Sequence, residues 1–176
     1  MRPILLLACL MGLAACATHP GKVDHVRFAS DAKTVLATTQ EGALRGAEGD
    51  GTRAFLGVPY AAPPVGERRW RAPQPVQAWP GVRDATRIGA DCTQAIGRRA
   101  ILGGGGGIVV GSEDCLYLNI YAPAGEAERT RPVMVYIPGG AFTVGAGANY
   151  DPSKLAREQG RVVAVSYTHL RAHETD

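Results

Sequence analysis

Tyr136-Ile137-Pro138-Gly139-Gly140-Ala141-Phe142 closes an apolar run, residues 132–137, with two adjacent glycines. A run that is apolar almost throughout reads as a strand buried on both faces. Upstream, Leu116, Leu118 and Ile120 alternate with Tyr117, Asn119 and Tyr121, the period-2 signature of a strand with two different faces. A buried strand that ends in Gly-Gly lets a ligand come close to the backbone, because no Cβ blocks its approach. Backbone N–H groups at such an end can point into a site, which is how an oxyanion hole for acyl transfer is built. The competing reading is a tight strand-to-loop turn that merely needs glycine.

Working outward, Asp151 caps a short helix with Pro152 in its first position, and Gly160 ends it. Residues 162–165 form the next apolar strand. Toward the start, residues 34–39, 43–45 and 53–58 read as short strands, with Asp50-Gly51 as a hairpin-turn dipeptide between the last two. Pro59, Pro63, Pro64, Pro73, Pro75 and Pro80 then punctuate a long connection that cannot be a regular element. Hairpin strands followed by strand, helix and strand imply an α/β sheet whose opening strands are antiparallel.

The ends read differently from the middle. Arg2, the apolar residues 4–13 and Leu13-Ala14-Ala15-Cys16 form a targeting segment, its apolar part too short to span a bilayer. The Leu-Ala-Ala-Cys ending resembles a bacterial lipobox, which implies lipidation of Cys16 and an exported, periplasm-facing or outer-membrane lipoprotein. The rival is a secretory signal cut after Ala17. Residues 17–33 read as a tether. Residues 166–176 continue neither strand nor helix and resemble translated adaptor sequence, so His169 and His173 are not expected to serve as base or metal ligands. Between tether and tail, residues 34–165 are enough for one small domain. A net charge of +3 over 176 residues, with no long charge block, gives no sign of a nucleic-acid partner. Residues 103–107 are five consecutive glycines, but no Lys-Ser or Lys-Thr follows to make a phosphate loop. A surface loop is expected there.

Four further stretches complete the pattern. They are Phe55-Leu56-Gly57-Val58-Pro59-Tyr60-Ala61-Ala62-Pro63-Pro64-Val65-Gly66, Arg69-Trp70-Arg71-Ala72-Pro73, Trp79-Pro80-Gly81-Val82 and Glu113-Asp114-Cys115-Leu116-Tyr117-Leu118-Asn119. With Gly139-Gly140-Ala141-Phe142, and in this order, they resemble the N-terminal part of the type-B carboxylesterases, the cholinesterase-like α/β-hydrolases. The resemblance implies the N-terminal portion of an α/β-hydrolase fold and a serine esterase working through an acyl-enzyme on a small carboxylic ester, without a metal or cofactor. It also implies that Gly140 and Ala141 supply two of three oxyanion-hole donors. Pro138 departs from the His or Tyr often found there, which leaves both donors intact but alters neighbouring loop contacts.

The same resemblance pairs Cys92 with Cys115, the only cysteines outside the signal region and in keeping with export. It pairs Arg69 with Glu113 as a structural ion pair, and puts Trp79 and Phe142 where the family lines its gorge, with core packing as the alternative for each. The nucleophile of the family sits in a Gly-x-Ser-x-Gly elbow, and none of Ser30, Ser112, Ser153 or Ser166 has that context. The chain therefore reads as the front part of an ester hydrolase, inactive alone, with a sheet edge that later strands should cover. The alternative is a cholinesterase-like binding or adhesion module that keeps the fold and lacks the serine.

Overall fold

The structure, a computed structural model, describes residues 32–97, 107–125, 129–140 and 144–167. Among these residues nine strands and one α-helix follow in chain order: β1 (Lys33–Thr38), β2 (Ala43–Gly49), β3 (Thr52–Pro59), β4 (Val82–Asp84), β5 (Gln94–Ile96), β6 (Ile108–Val110), β7 (Tyr117–Pro123), β8 (Val133–Tyr136), α1 (Ser153–Gln159) and β9 (Val162–Ser166). The main sheet runs β1-β2-β3-β7-β9-β8, with β4 added parallel to β2. From β1 to β9 every neighbour along this path is antiparallel, and β8 joins β9 in parallel. β5 and β6 form a separate antiparallel ribbon.

The hairpin between β2 and β3 turns at Asp50 (φ 48°) and Gly51 (φ 72°), both left-handed. Two central residues at positive φ make the turn whose twist suits adjoining strands, and Asp-Gly adopts it at little cost. Between Phe55 and Val58 the pairing with β7 slips in register. Gly57 sits at this slip with φ 62°, and a Cβ there would lie 2.7 Å from the Arg87 carbonyl oxygen. Its N–H donates to Asn119 Oδ1 at 3.0 Å. A buried amide side chain thus replaces the ladder bond lost at the slip.

Alternation along β3 feeds two cores. Ala54 and Leu56 pack with Tyr121, Ala156, Val163 and Val165 on one face, while Phe55 and Val58 pack with Leu44 and Ala85 on the other. Each fully buried large aliphatic side chain contributes about 2 kcal/mol relative to exposure. α1 covers the first face through Ala156. The helix starts one residue later than expected, with Pro152 at the N-cap rather than in its first position, and the Asp151 carboxylate accepts from the Ser153 N–H at 3.0 Å. Gly160, at φ 60°, closes the C-terminus with its N–H on the Ala156 carbonyl. Arg157 Nη1 donates to the Asp50 carbonyl at 2.7 Å, tying the helix to the hairpin turn.

Two expectations need correction. β8 is not buried on both faces: Val133 and Val135 are 65% and 63% exposed, while Met134 packs on the core. Its only strand neighbour among the described residues is β9, so one edge and one face lack cover. The fold also runs past residue 165. Ser166 completes β9, and Tyr167 is fully buried. The sequence shows no periodicity there because Tyr167 is held by distant partners rather than by a continuing strand. Residues 168–176 lie outside the described residues, as do the targeting segment and most of the tether.

Candidate active site

β8 and β9 run parallel, and their carboxyl ends point to the same side of the sheet, where open α/β sheets bind ligands. Gly139 and Gly140 leave β8 at this end. Pro138 before them is buried. The two glycines are not equivalent. A Cβ on Gly139 would meet nothing within 4 Å, whereas one on Gly140 would overlap the Val144 carbonyl oxygen. The returning chain lies directly on Gly140, with the Val144 N–H donating to its carbonyl at 3.0 Å. Glycine is required here for close approach of backbone to backbone. Ala141 and Phe142 lie outside the described residues.

The return limb, Gly145-Ala146-Gly147-Ala148, is held from two sides. On one, Gln94 in β5 grips Gly145: Oε1 accepts its N–H at 2.9 Å, and Nε2 donates to its carbonyl at 3.0 Å. Nε2 also donates to the Cys92 carbonyl at 3.1 Å. On the other side, Ala146 and Ala148 pack on Tyr167, and a Cβ on Gly147 would lie 2.5 Å from the Ser166 carbonyl oxygen. Only small residues let the limb sit on the end of β9.

Tyr167 is fixed in turn. Its hydroxyl donates to Asn119 Oδ1 at 2.9 Å, and its ring meets that of Tyr117 edge-on with centroids 6.4 Å apart. Burial pushes the Tyr167 hydroxyl up to about 12, so it remains protonated and donating at neutral pH. Asn119 Oδ1 therefore accepts two bonds, from the β3 slip and from the end of β9. Sequence reasoning missed Gln94, Asn119 and Tyr167 as supports. Nothing local marks them, because each acts on residues far along the chain.

Cys92 and Cys115 are joined by a disulfide with Cα atoms 5.0 Å apart. The loop it closes contains the β5–β6 ribbon, and Cys115 itself is buried just before β7. Arg69 Nη2 stands 2.8 Å from Glu113 Oε1, two residues before Cys115. With side chains 52% and 41% exposed, the pair contributes at most about 1 kcal/mol. Trp79 stands with the core rather than at the site. Its indole N–H donates to the Ala43 carbonyl at 2.9 Å, its ring packs on the Leu44 cluster, and Arg83 lies over it at 5.4 Å.

Of the serines, Ser112 Oγ accepts the Asp114 N–H, Ser153 Oγ bonds Asp151, and Ser166 is buried in β9. All four histidines, and Cys16, lie outside the described residues. Among the described residues no group of three metal-ligating side chains comes together, and no helix is long and apolar enough to cross a membrane.

Opening the disulfide should cost about 3 kcal/mol through the loop entropy regained on unfolding. Cys92→Ala/Cys115→Ala is expected to lower the urea midpoint accordingly. A midpoint equal to that of the unaltered chain would contradict this.

The carboxylesterase family model matches residues 32–169. The chain belongs to the carboxylesterase family. Among curated carboxylesterase relatives, the fumonisin B1 esterase of Sphingopyxis macrogoltabida is 44% identical over 140 residues, covering 78% of this chain and 25% of that protein. The para-nitrobenzyl esterase of Bacillus subtilis is 42% identical over 136 residues, covering 76% and 27% respectively. A solved PNB esterase superposes with a TM-score of 0.67 at 40% identity, over 77% of this chain and 28% of that one. The sheet is thus the N-terminal portion of the α/β-hydrolase fold. The chain spans about a quarter of the length of the curated carboxylesterases it matches.

Proposed function

We propose that these residues form the front part of a serine carboxylesterase, supplying the electrostatic half of its acyl-transfer site. One observation carries the reading most: the chain turns back so tightly at the carboxyl end of β8 that Gly140 lies against the Val144 carbonyl. Backbone held this closely is the kind that presents N–H donors to a developing oxyanion. In the reaction, a serine Oγ attacks the ester carbonyl carbon while a base takes its proton. Negative charge gathers on the carbonyl oxygen, where the N–H groups of Gly140 and Ala141 receive it. Collapse of the intermediate expels the alcohol and leaves an acyl-enzyme, which water cleaves to the acid. Each fixed donor is worth roughly 3 kcal/mol in the transition state. The nucleophile comes from a Gly-x-Ser-x-Gly elbow that these 176 residues do not contain.

The substrate class is a small-molecule carboxylic ester, supported by relatives named as fumonisin B1 and para-nitrobenzyl esterases. The full-length protein should hydrolyse 4-nitrophenyl esters with an initial burst of one nitrophenol per site. Absence of turnover and of a serine elbow downstream would favour the non-catalytic binding module instead.

Export and anchoring at Cys16 belong to the same proposal, supported by Leu13-Ala14-Ala15-Cys16 after an apolar stretch. Cys16→Ser should abolish fatty-acid labelling and release the protein from the membrane fraction. Unchanged labelling would rule the anchor out.

A further inference from the structure

We infer that Gln94 is a positioning residue for the oxyanion loop, acting on the donor at Gly140 through Gly145 and Val144. The inference rests on the esterase reading above. Gln94 lies outside the loop it grips, in the ribbon enclosed by the Cys92 disulfide, and is 9% exposed. Its amide pairs with both the N–H and the carbonyl of Gly145, as a neighbouring strand would. A third bond returns to the Cys92 carbonyl, so the amide is itself held by residues next to the cross-link.

Gly145 is the residue after Val144, whose carbonyl lies on Gly140 and whose N–H bonds the Gly140 carbonyl. The chain of contacts from disulfide to oxyanion loop therefore has four links: Cys92, Gln94, Gly145 and the Val144–Gly140 turn. On the other side Tyr167 packs against Ala146 and Ala148. Gln94 alone holds Gly145 by directional bonds among the described residues. Donors must stand about 2.7–3.1 Å from the oxyanion, and loosening this grip misplaces them while leaving the nucleophile untouched.

The test uses the full-length protein with Gln94→Met, close in shape but without the amide, and Gln94→Glu. Three readouts are taken: kcat and KM on 4-nitrophenyl acetate, the Ki of a trifluoromethyl ketone that mimics the oxyanion adduct, and stoichiometric titration of the serine with an organophosphate. Gln94→Met is expected to lower kcat by about ten- to hundredfold with KM nearly unchanged. Ketone affinity should fall by a similar factor, and organophosphate titration should still count one site per chain. Gln94→Glu keeps the acceptor for the Gly145 N–H but sets a carboxylate oxygen against two carbonyls. Its activity relative to wild type should recover as pH falls, when protonation restores a donor. Taking the ratio at each pH removes the titration of other groups.

A folded Gln94→Met protein with wild-type kcat would overturn the inference, as would lost kcat with unchanged ketone affinity. If Gln94→Met does not fold, a pH-independent Gln94→Glu ratio overturns it. A wild-type protein that neither hydrolyses esters nor titrates would instead bring down the esterase reading, and this inference with it.

Discussion

Gly140→Ala in the full-length protein is expected, on the proposed esterase reading, to lower kcat by about a hundredfold or more, with KM changed far less. A Cβ at this position overlaps the Val144 carbonyl, so the loop must move before the side chain fits. Val144 is bonded back to Gly140, and the displacement passes directly into the segment that carries the proposed donors. Loss or misplacement of a single donor by about an ångström costs roughly 10²-fold or more. Gly139→Ala is the matched comparison. Its Cβ would enter open space, and its φ is not left-handed, so its effect should be much smaller. Steady-state kinetics on a chromogenic ester, with circular dichroism to establish folding, separates the two. Equal kcat losses for both variants would mean that the crowding at Gly140 does not matter to catalysis.

Asn119→Leu should destabilise the fold by about 3–5 kcal/mol, at least as much as opening the disulfide. Asn119 is fully buried, and its Oδ1 is the acceptor for both the Gly57 N–H and the Tyr167 hydroxyl. Leucine fills a similar volume but strands both donors, each at about 1–3 kcal/mol when buried and unpaired. Asn119 Nδ2 has no hydrogen-bond partner among the described residues, so the loss resides in the two bonds to oxygen. Tyr167→Phe removes one of those donors and should itself cost about 1 kcal/mol. In the double variant the stranded hydroxyl is gone, and the combined loss should be smaller than the sum. Urea unfolding of the four proteins measures this cycle. Strict additivity would show that the two side chains do not share the bond.

The residues behind these predictions differ in how far the sequence reveals them. The β2–β3 hairpin was readable because Asp50-Gly51 encodes its left-handed turn locally. The end of α1 was readable for the same reason, with Gly160 at φ 60°. The apolar run of β8 was recognisable as a strand, but the exposure of Val133 and Val135 depends on what lies beside them, which no local pattern states. β4, β5 and β6 are three residues each, too short for an alternation to stand out. Of the site, the Gly-Gly pair was visible. Which glycine is sterically required was not, because the Val144 carbonyl decides it from four residues away. Gln94 carried no signal at all: its role exists only once the ribbon and the return limb are folded together.

On the proposed reading, this chain holds the oxyanion half of an esterase site and takes its nucleophile from elsewhere in the protein. Organophosphate labelling followed by peptide mapping tests it most directly, on the 176-residue chain and on the protein read from the uninterrupted gene. No labelling of the short chain is expected, and one labelled serine per full-length molecule, in a Gly-x-Ser-x-Gly peptide outside these 176 residues. Stoichiometric labelling of Ser30, Ser112, Ser153 or Ser166, or no labelling of the full-length protein, would contradict it.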